Sequence, residues 1–282
     1  MLRQLLLPAA RTIALARATR WRGLRFLCYH SVVDVDQLAL WSQITPALSR
    51  DAFQRHLEFI RARGYAVVSM DAALQMVHNG QAERGQYICF TFDDGRLDNY
   101  LVAWPLLRSF GYSAHFFVCS GLVGKALEHH AGSGRFVDRY MDAATLRAIV
   151  REGGSVGSHG RGHEDLTKLD DVALSNELME SRRSLSSAID APVLTHAYPY
   201  ASYDQRVLNA AASAGYHYAF AVNTGTVTGV DRDGNARLAL PRNVMRGGLD
   251  PAENYAILRG GFDFAQPYSA IKREIKTWLS SN

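Results

Sequence analysis

Short apolar runs alternate with stretches in which apolar residues recur every three or four positions, and this alternation continues through most of the chain. The runs at 25–29, 66–70, 87–92, 113–119, 155–157, 193–197 and 218–222 are rich in aromatic and β-branched residues and have strand length. Helical spacing occupies 50–63, 70–79, 97–110, 142–152, 170–189 and 203–214, and returns at 251–259 and 267–279. Ser49, Asp142, Asp170 and Asp250 stand where helices should begin, since a short polar side chain there accepts from an otherwise unbonded N–H. Pro251 follows Asp250 at the first helical position, where its missing N–H is harmless. Strand and helix in strict turn predict an α/β fold of parallel strands with helices outside. A closed (β/α) barrel accommodates 282 residues as one domain. The longest irregular stretches, 31–48 and 120–141, both leave strand ends, so both are placed to overhang whatever lies at that end of the barrel.

Composition adds little until the charges are located. Hydrophobic residues make up 48% and charged residues 21%, as in an ordinary globular protein. The isoelectric point near 9.0 comes from the start of the chain. Arg3, Arg11, Arg17, Arg20, Arg22 and Arg25 occupy a 25-residue segment with no Asp or Glu, and without them 25 basic residues face 27 acidic ones. A nearly neutral body argues against a nucleic-acid surface. The sequence therefore divides into an Arg-rich segment, 1–24, and a single barrel domain, 25–282. Three readings of the first segment stay open: an atypical signal peptide, whose apolar run is broken by Pro8 and Arg11; an amphipathic segment in peripheral contact with anionic lipid; or a helix packed on the body. No later segment approaches the ~20 apolar residues that span a bilayer. Cys28, Cys89 and Cys119 each lie in an apolar run, which suggests free buried thiols and a reducing, cytoplasmic or membrane-peripheral setting.

The polar residues that carry chemistry fall at strand ends, which in a barrel of this kind meet on one face. Asp93-Asp94-Gly95 closes the third run, Tyr29-His30 the first, and Tyr198-Pro199-Tyr200 a later one. Two adjacent carboxylates repel unless a cation intervenes. His159 and His163 lie four apart in a glycine-rich stretch after a short strand. One carboxylate with two imidazoles is a ligand set for a divalent metal with an open position, and the second carboxylate is then a candidate base. Plainer readings exist for each piece. One Asp could cap the helix near Leu97, and a histidine pair at spacing four arises often by accident. His30 reads as a satisfied buried imidazole, His129 and His130 as solvated, and 231–235 as a hairpin turn rather than a calcium loop, since Arg242 stands where the twelfth-position Glu would be.

Taken in order, Leu27-Cys28-Tyr29-His30-Ser31-Val32, Thr91-Phe92-Asp93-Asp94-Gly95, Ser113-Ala114-His115-Phe116-Phe117-Val118, Ser158-His159-Gly160-Arg161-Gly162-His163 and Ala197-Tyr198-Pro199-Tyr200 resemble the polysaccharide deacetylase (NodB-homology) family of carbohydrate esterases, from about residue 25 to 245. The resemblance implies an irregular (β/α) barrel of about seven strands. It implies that Asp94, His159 and His163 bind a divalent metal, most naturally Zn²⁺, which lowers the pKa of bound water from ~16 to ~7. It implies Asp93 as the base and the backbone N–H of Tyr200 as an oxyanion donor.

The chain also departs from that family's pattern. No histidine follows His217, so the late Leu-x-His acid is missing, and 240–244 occupies its region. Ala197 stands where an arginine would orient the base, and Arg242 is the expected replacement from a neighbouring strand end. The Asp-x-x-Asp-Trp segment is absent, and Ala201 follows Tyr200 where glycine is frequent. The implied activity is metal-dependent removal of N-acetyl groups from amino sugars of a bacterial glycan or glycan precursor. An O-acetyl esterase and an inactive carbohydrate-binding barrel are the alternatives. Trp41, Arg135 and Tyr140, on the two long segments, are expected to influence which sugar is taken.

Overall fold

The computed structural model describes residues 21–131, 134–229, 235–245 and 251–259. Seven parallel strands close into a barrel: β1 (Gly23–Tyr29), β2 (Gln86–Phe92), β3 (Ala114–Val118), β4 (Ser155–Ser158), β5 (Thr195–Ala197), β6 (Tyr218–Val222) and β7 (Leu240–Val244). Each pairs with its neighbour in chain order, and the ring closes where β7 lies beside β1, with Phe26 opposite Arg242 and Leu27 opposite Asn243.

The strand count matches expectation, but the membership differs. The run at 66–70 yields only the two-residue strand Ala66–Val67, paired to the start of β2 and no stave of the barrel. The seventh stave is 240–244, which no strand pattern marks because Pro241, Arg242 and Asn243 break the apolar run. Pro241 is tolerated because pairing with β1 begins only at Arg242, so its missing N–H falls before the first rung of that ladder.

Alternation along the strands sorts side chains to two sides. Leu27, Ile88, Phe90, Phe92, Phe116, Val156 and Ala219 join one large apolar cluster with helix residues such as Phe53, Leu57, Leu107, Leu146, Leu178 and Leu185. Burying each large side chain of this kind contributes about 1.5–3 kcal/mol. The other set fills the barrel. At its base Phe26, Phe117 and Phe220 pack together, with ring centroids 4.8 Å apart for Phe26–Phe220 and 5.4 Å for Phe117–Phe220. Above them the filling turns polar. His115 bonds Ser155 at 2.7 Å and Thr195 at 2.9 Å, and the Arg242 guanidinium lies over the Phe117 ring at 4.9 Å.

The helices form where spacing and caps place them: Arg50–Ala62, Met70–His78, Ala143–Arg151, Asp171–Ile189, Gln205–Ser213 and Pro251–Leu258. Ser49, Asp142 and Asp170 each accept a backbone N–H three residues on, and Ser69 and Asp204 do the same for two further helices. The expected helix at 97–110 is instead a π-turn, Asn99–Ala103, running into Trp104–Ser109. Neither long segment is irregular. Strands Ser31–Val33 and Ala47–Ser49 pair around the helix Val35–Trp41, and Ala126–Ala131 with Gly134–Arg139 forms an antiparallel hairpin. Residues 1–20, the Asp250 cap, the turn at 231–234 and the helix expected at 267–279 lie outside the described residues. Cys28, Cys89 and Cys119 are free and buried, and no helix among the described residues is long and apolar enough to cross a membrane.

Gly157 on β4 shows how tightly the interior is filled. A Cβ there would meet His115 Nε2 and Thr195 Oγ1, each at 2.5 Å. Gly157→Ala is expected to destabilise the fold by about 1–3 kcal/mol; a denaturation midpoint equal to that of the parent would show that the interior relaxes freely.

Candidate active site

Asp93 and Asp94 leave β2 in different directions. The Asp93 N–H extends the β1 ladder by bonding Tyr29 O at 2.9 Å, so its side chain continues the inward series of Cys89 and Thr91. Arg242 meets it there through both terminal guanidinium nitrogens, at 2.5 Å to Oδ1 and 2.8 Å to Oδ2, while also donating to Thr91 Oγ1 at 3.2 Å. Both partners are buried. Burial alone would raise the Asp93 pKa, but the Arg242 charge and the nearby imidazoles outweigh it and hold the carboxyl well below its ordinary value. At Asp94 the backbone turns into the left-handed region, φ 75°, and Gly95 follows at φ 80°. A Cβ on Gly95 would lie 2.8 Å from Val118 Cγ1, so this turn requires glycine.

Asp94 has two distinct oxygens. Oδ2 accepts from Arg96 Nε at 3.0 Å. Oδ1 is buried with no hydrogen-bond partner among the described residues, and lies 3.6 Å from His159 Nε2 and 3.4 Å from His163 Nε2. The imidazoles are aimed by their surroundings. His159 Nδ1 must donate to the Ala197 carbonyl, 2.7 Å away, which leaves Nε2 as a bare acceptor. Burial lowers the His159 pKa to about 4, against the pull of Asp93, so the ring is neutral at physiological pH. For His163, burial acts downward, but the Asp94 carboxylate beside it, with Asp93 behind, prevails and raises it.

The loop that carries both histidines is held from outside. Glu177, on the helix Asp171–Ile189, accepts from Arg161 N at 2.6 Å and Gly162 N at 2.7 Å. Ser181 on the same helix donates to Gly160 O at 2.8 Å and pairs with Ser158 at 2.6 Å.

A tetrahedral shell with bonds of about 2.0–2.1 Å has ligand–ligand edges of about 3.3–3.4 Å. The two Asp94–imidazole separations lie near that edge, and an orphaned buried carboxylate oxygen between two imidazoles has the chemistry to hold a cation. Cys28, His30 and Asp93 form a second cluster of donor atoms, but Arg242 already occupies both Asp93 oxygens, so the Asp94 set fits better.

These groups open into a cavity of about 510 Å³, whose wall includes His30, Ile44, Thr45, Pro46, Tyr198, Tyr200, Ala201, Val222 and Val244. His30 is therefore not a satisfied core imidazole. It lines the cavity, and its Nδ1 has no hydrogen-bond partner among the described residues. His129 is not simply solvated either, since its Nε2 lies 3.5 Å from Asp138. The ring of Tyr200 stands edge-on to His163 at 4.7 Å, 67% exposed at the mouth. Among the described residues five non-glycines have positive φ, and four of them, Asp94, His163, Tyr200 and Ala201, line this cavity. Backbone strain of this kind persists where the surroundings over-determine it, and it concentrates at functional sites.

Comparison with known proteins identifies the family and the fold. The sequence profile of the polysaccharide deacetylase family matches residues 80–219. YxkH of Bacillus subtilis, which carries the polysaccharide deacetylase name, is 23% identical over 205 residues, 73% of this chain and 66% of its own length. The chain belongs to the polysaccharide deacetylase family. Two solved structures share the fold. The Streptococcus pyogenes deacetylase PplD aligns with a TM-score of 0.67 and 22% identity over 83% of this chain and 96% of its own. IcaB from Ammonifex degensii aligns with a TM-score of 0.65 and 22% identity over 85% of this chain and 98% of its own.

The guanidinium on Asp93 comes from β7, and Ala197 on β5, where the sequence resemblance implies an arginine, carries no charge. Sequence reasoning misses Arg96, Glu177 and Ser181. Ser181 does leave a signal, being a polar residue in the otherwise apolar stripe Leu174, Leu178, Leu185, Ile189 of its helix. Ala201 holds φ 55° where an L-residue pays about 1–2 kcal/mol. Ala201→Gly is expected to raise stability by up to about 1 kcal/mol after the entropic cost of glycine; a lowered thermal midpoint would mean that the Ala201 methyl contributes packing that outweighs its strain.

Proposed function

We propose that this protein is a metal-dependent hydrolase that removes N-acetyl groups from amino sugars. The observation that carries the reading is Asp94 Oδ1, a buried acceptor set between two imidazole Nε2 atoms while the Asp93 carboxylate lies 4.0 Å from His159 in the same cavity. Asp94, His159 and His163 would hold the ion. A divalent ion there, Zn²⁺ by the donor set, supplies Lewis acidity that activates water and polarises an acyl carbonyl. Asp93 takes the proton of the attacking water. Arg242 keeps it ionised and fixes its plane, so that it accepts the proton in one orientation and gives it up readily. The Tyr200 backbone N–H donates to the developing oxyanion. His30 lines the cavity, its Nδ1 unbonded among the described residues, and relays to the departing amine the proton that Asp93 took from water. The exposed Tyr200 ring offers a flat apolar face to a pyranose.

Metal content and acetate release on a panel of N-acetylated oligosaccharides test this reading. Asp93→Asn should keep its metal and lose about 10²–10⁴ in turnover, whereas His159→Ala should lose both. His30→Gln should keep its metal and fail on N-acetyl sugars, yet retain most of its rate on an aryl acetate, whose leaving group needs no proton. Sugar binding without acetate release by the wild type would make the protein a binding barrel, and release from O-acetyl sugars alone would make it an esterase.

A further inference from the structure

Arg96 follows the Gly95 turn and joins the site to the hairpin outside it. Its Nε donates to Asp94 Oδ2 at 3.0 Å, and its NH1 donates to Asp138 on the hairpin strand Gly134–Arg139. The three side chains are buried together. Trp41 and Tyr140 flank the guanidinium, with ring centroids 5.5 and 5.6 Å away, and Tyr140 also bridges Arg96 through the backbone. Arg96 is thus a clamp with two jaws, one on the metal-facing aspartate and one on the hairpin.

The clamp decides what Asp94 can offer. A carboxylate free to turn could present either oxygen, or both, toward His159 and His163. With Oδ2 held by Arg96, only Oδ1 faces the imidazoles. Asp138 balances the Arg96 charge, so the guanidinium can lie beside a cation without a net repulsive field. A lysine could supply the charge but not the planar fork that spans two carboxylates.

We propose that Arg96, anchored by Asp138, is a positioning residue that restricts Asp94 to single-oxygen ligation, making the 126–139 hairpin part of the support of the metal site. This rests on the metal reading above. Residues that orient metal ligands in this way typically govern affinity by about 10–100-fold.

Zn²⁺ affinity of the metal-free full chain, measured by competition with a chromogenic chelator, tests the proposal. The double variant Arg96→Gln/Asp138→Asn removes both charges together, and a buried pair replaced as a unit often leaves stability nearly unchanged. The expected result is a parental thermal midpoint with Zn²⁺ affinity weakened about 10–100-fold. Arg96→Lys keeps the charge balance without the fork, and should also bind Zn²⁺ more weakly; it decides the question if the double variant does not fold. An affinity that rises, or stays within twofold of wild type in a folded variant, would overturn the proposal. Wild type that takes up no Zn²⁺ would instead sink the metal reading beneath it.

Discussion

The pairing of Arg242 with Asp93 is the interaction on which the arrangement of this barrel depends. Both groups are buried, and removing one partner of a buried ion pair costs about 3–5 kcal/mol because the other is left uncompensated. The pair is also what separates two chemically identical neighbours. With both Asp93 oxygens bonded to the guanidinium, Asp93 is the poorer ligand, and Asp94, turned away by its left-handed backbone, is the carboxylate that faces His159 and His163. The Phe117 ring beneath the guanidinium and Thr91 beside it leave Arg242 one place to go. The polar mouth is thus seated on the aromatic base by a single side chain.

Much of this arrangement is legible in the order of residues alone, for physical reasons that differ from part to part. Buried parallel strands read as apolar runs, so six of the seven staves announce themselves, and capping chemistry marks helix starts at Ser49, Asp142 and Asp170. The seventh stave is hidden because it carries function in place of apolar filling: Pro241, Arg242 and Asn243 are residues that strand patterns exclude. The double aspartate and the histidine pair are readable as motifs because each is contiguous in sequence. Arg242 is readable only as a substitute for a missing arginine, and the fold sets it 2.5 Å from Asp93 Oδ1. His30 is easily misjudged because a lone histidine at a strand end gives no sign of which way it faces; the inward alternation of Phe26 and Cys28 carries it into the cavity.

The remaining constraints sit outside the barrel. Loop 159–163 cannot shape itself, since its glycines only permit its conformation. Glu177 and Ser181 impose that conformation from a helix whose buried stripe is otherwise apolar. In the same way, the turn after Asp94 is fixed by the lack of room beside Val118 and by Arg96 reaching to Asp138. Stability and site geometry are therefore supplied by different layers. The outer cluster provides most of the buried apolar surface, and the rim spends some of that margin on four left-handed residues.

Closure of the ring between its first and last staves has a consequence in time. Asp93 is made early in synthesis, but its counter-charge is 149 residues further along, on the final strand of the barrel. A growing polypeptide that has completed six staves still carries an unmatched acid at its centre and an unsealed edge along β1. Because contacts so distant in sequence form late and at a high entropic cost, the hydrolytic centre can assemble only after nearly all of the barrel has left the ribosome.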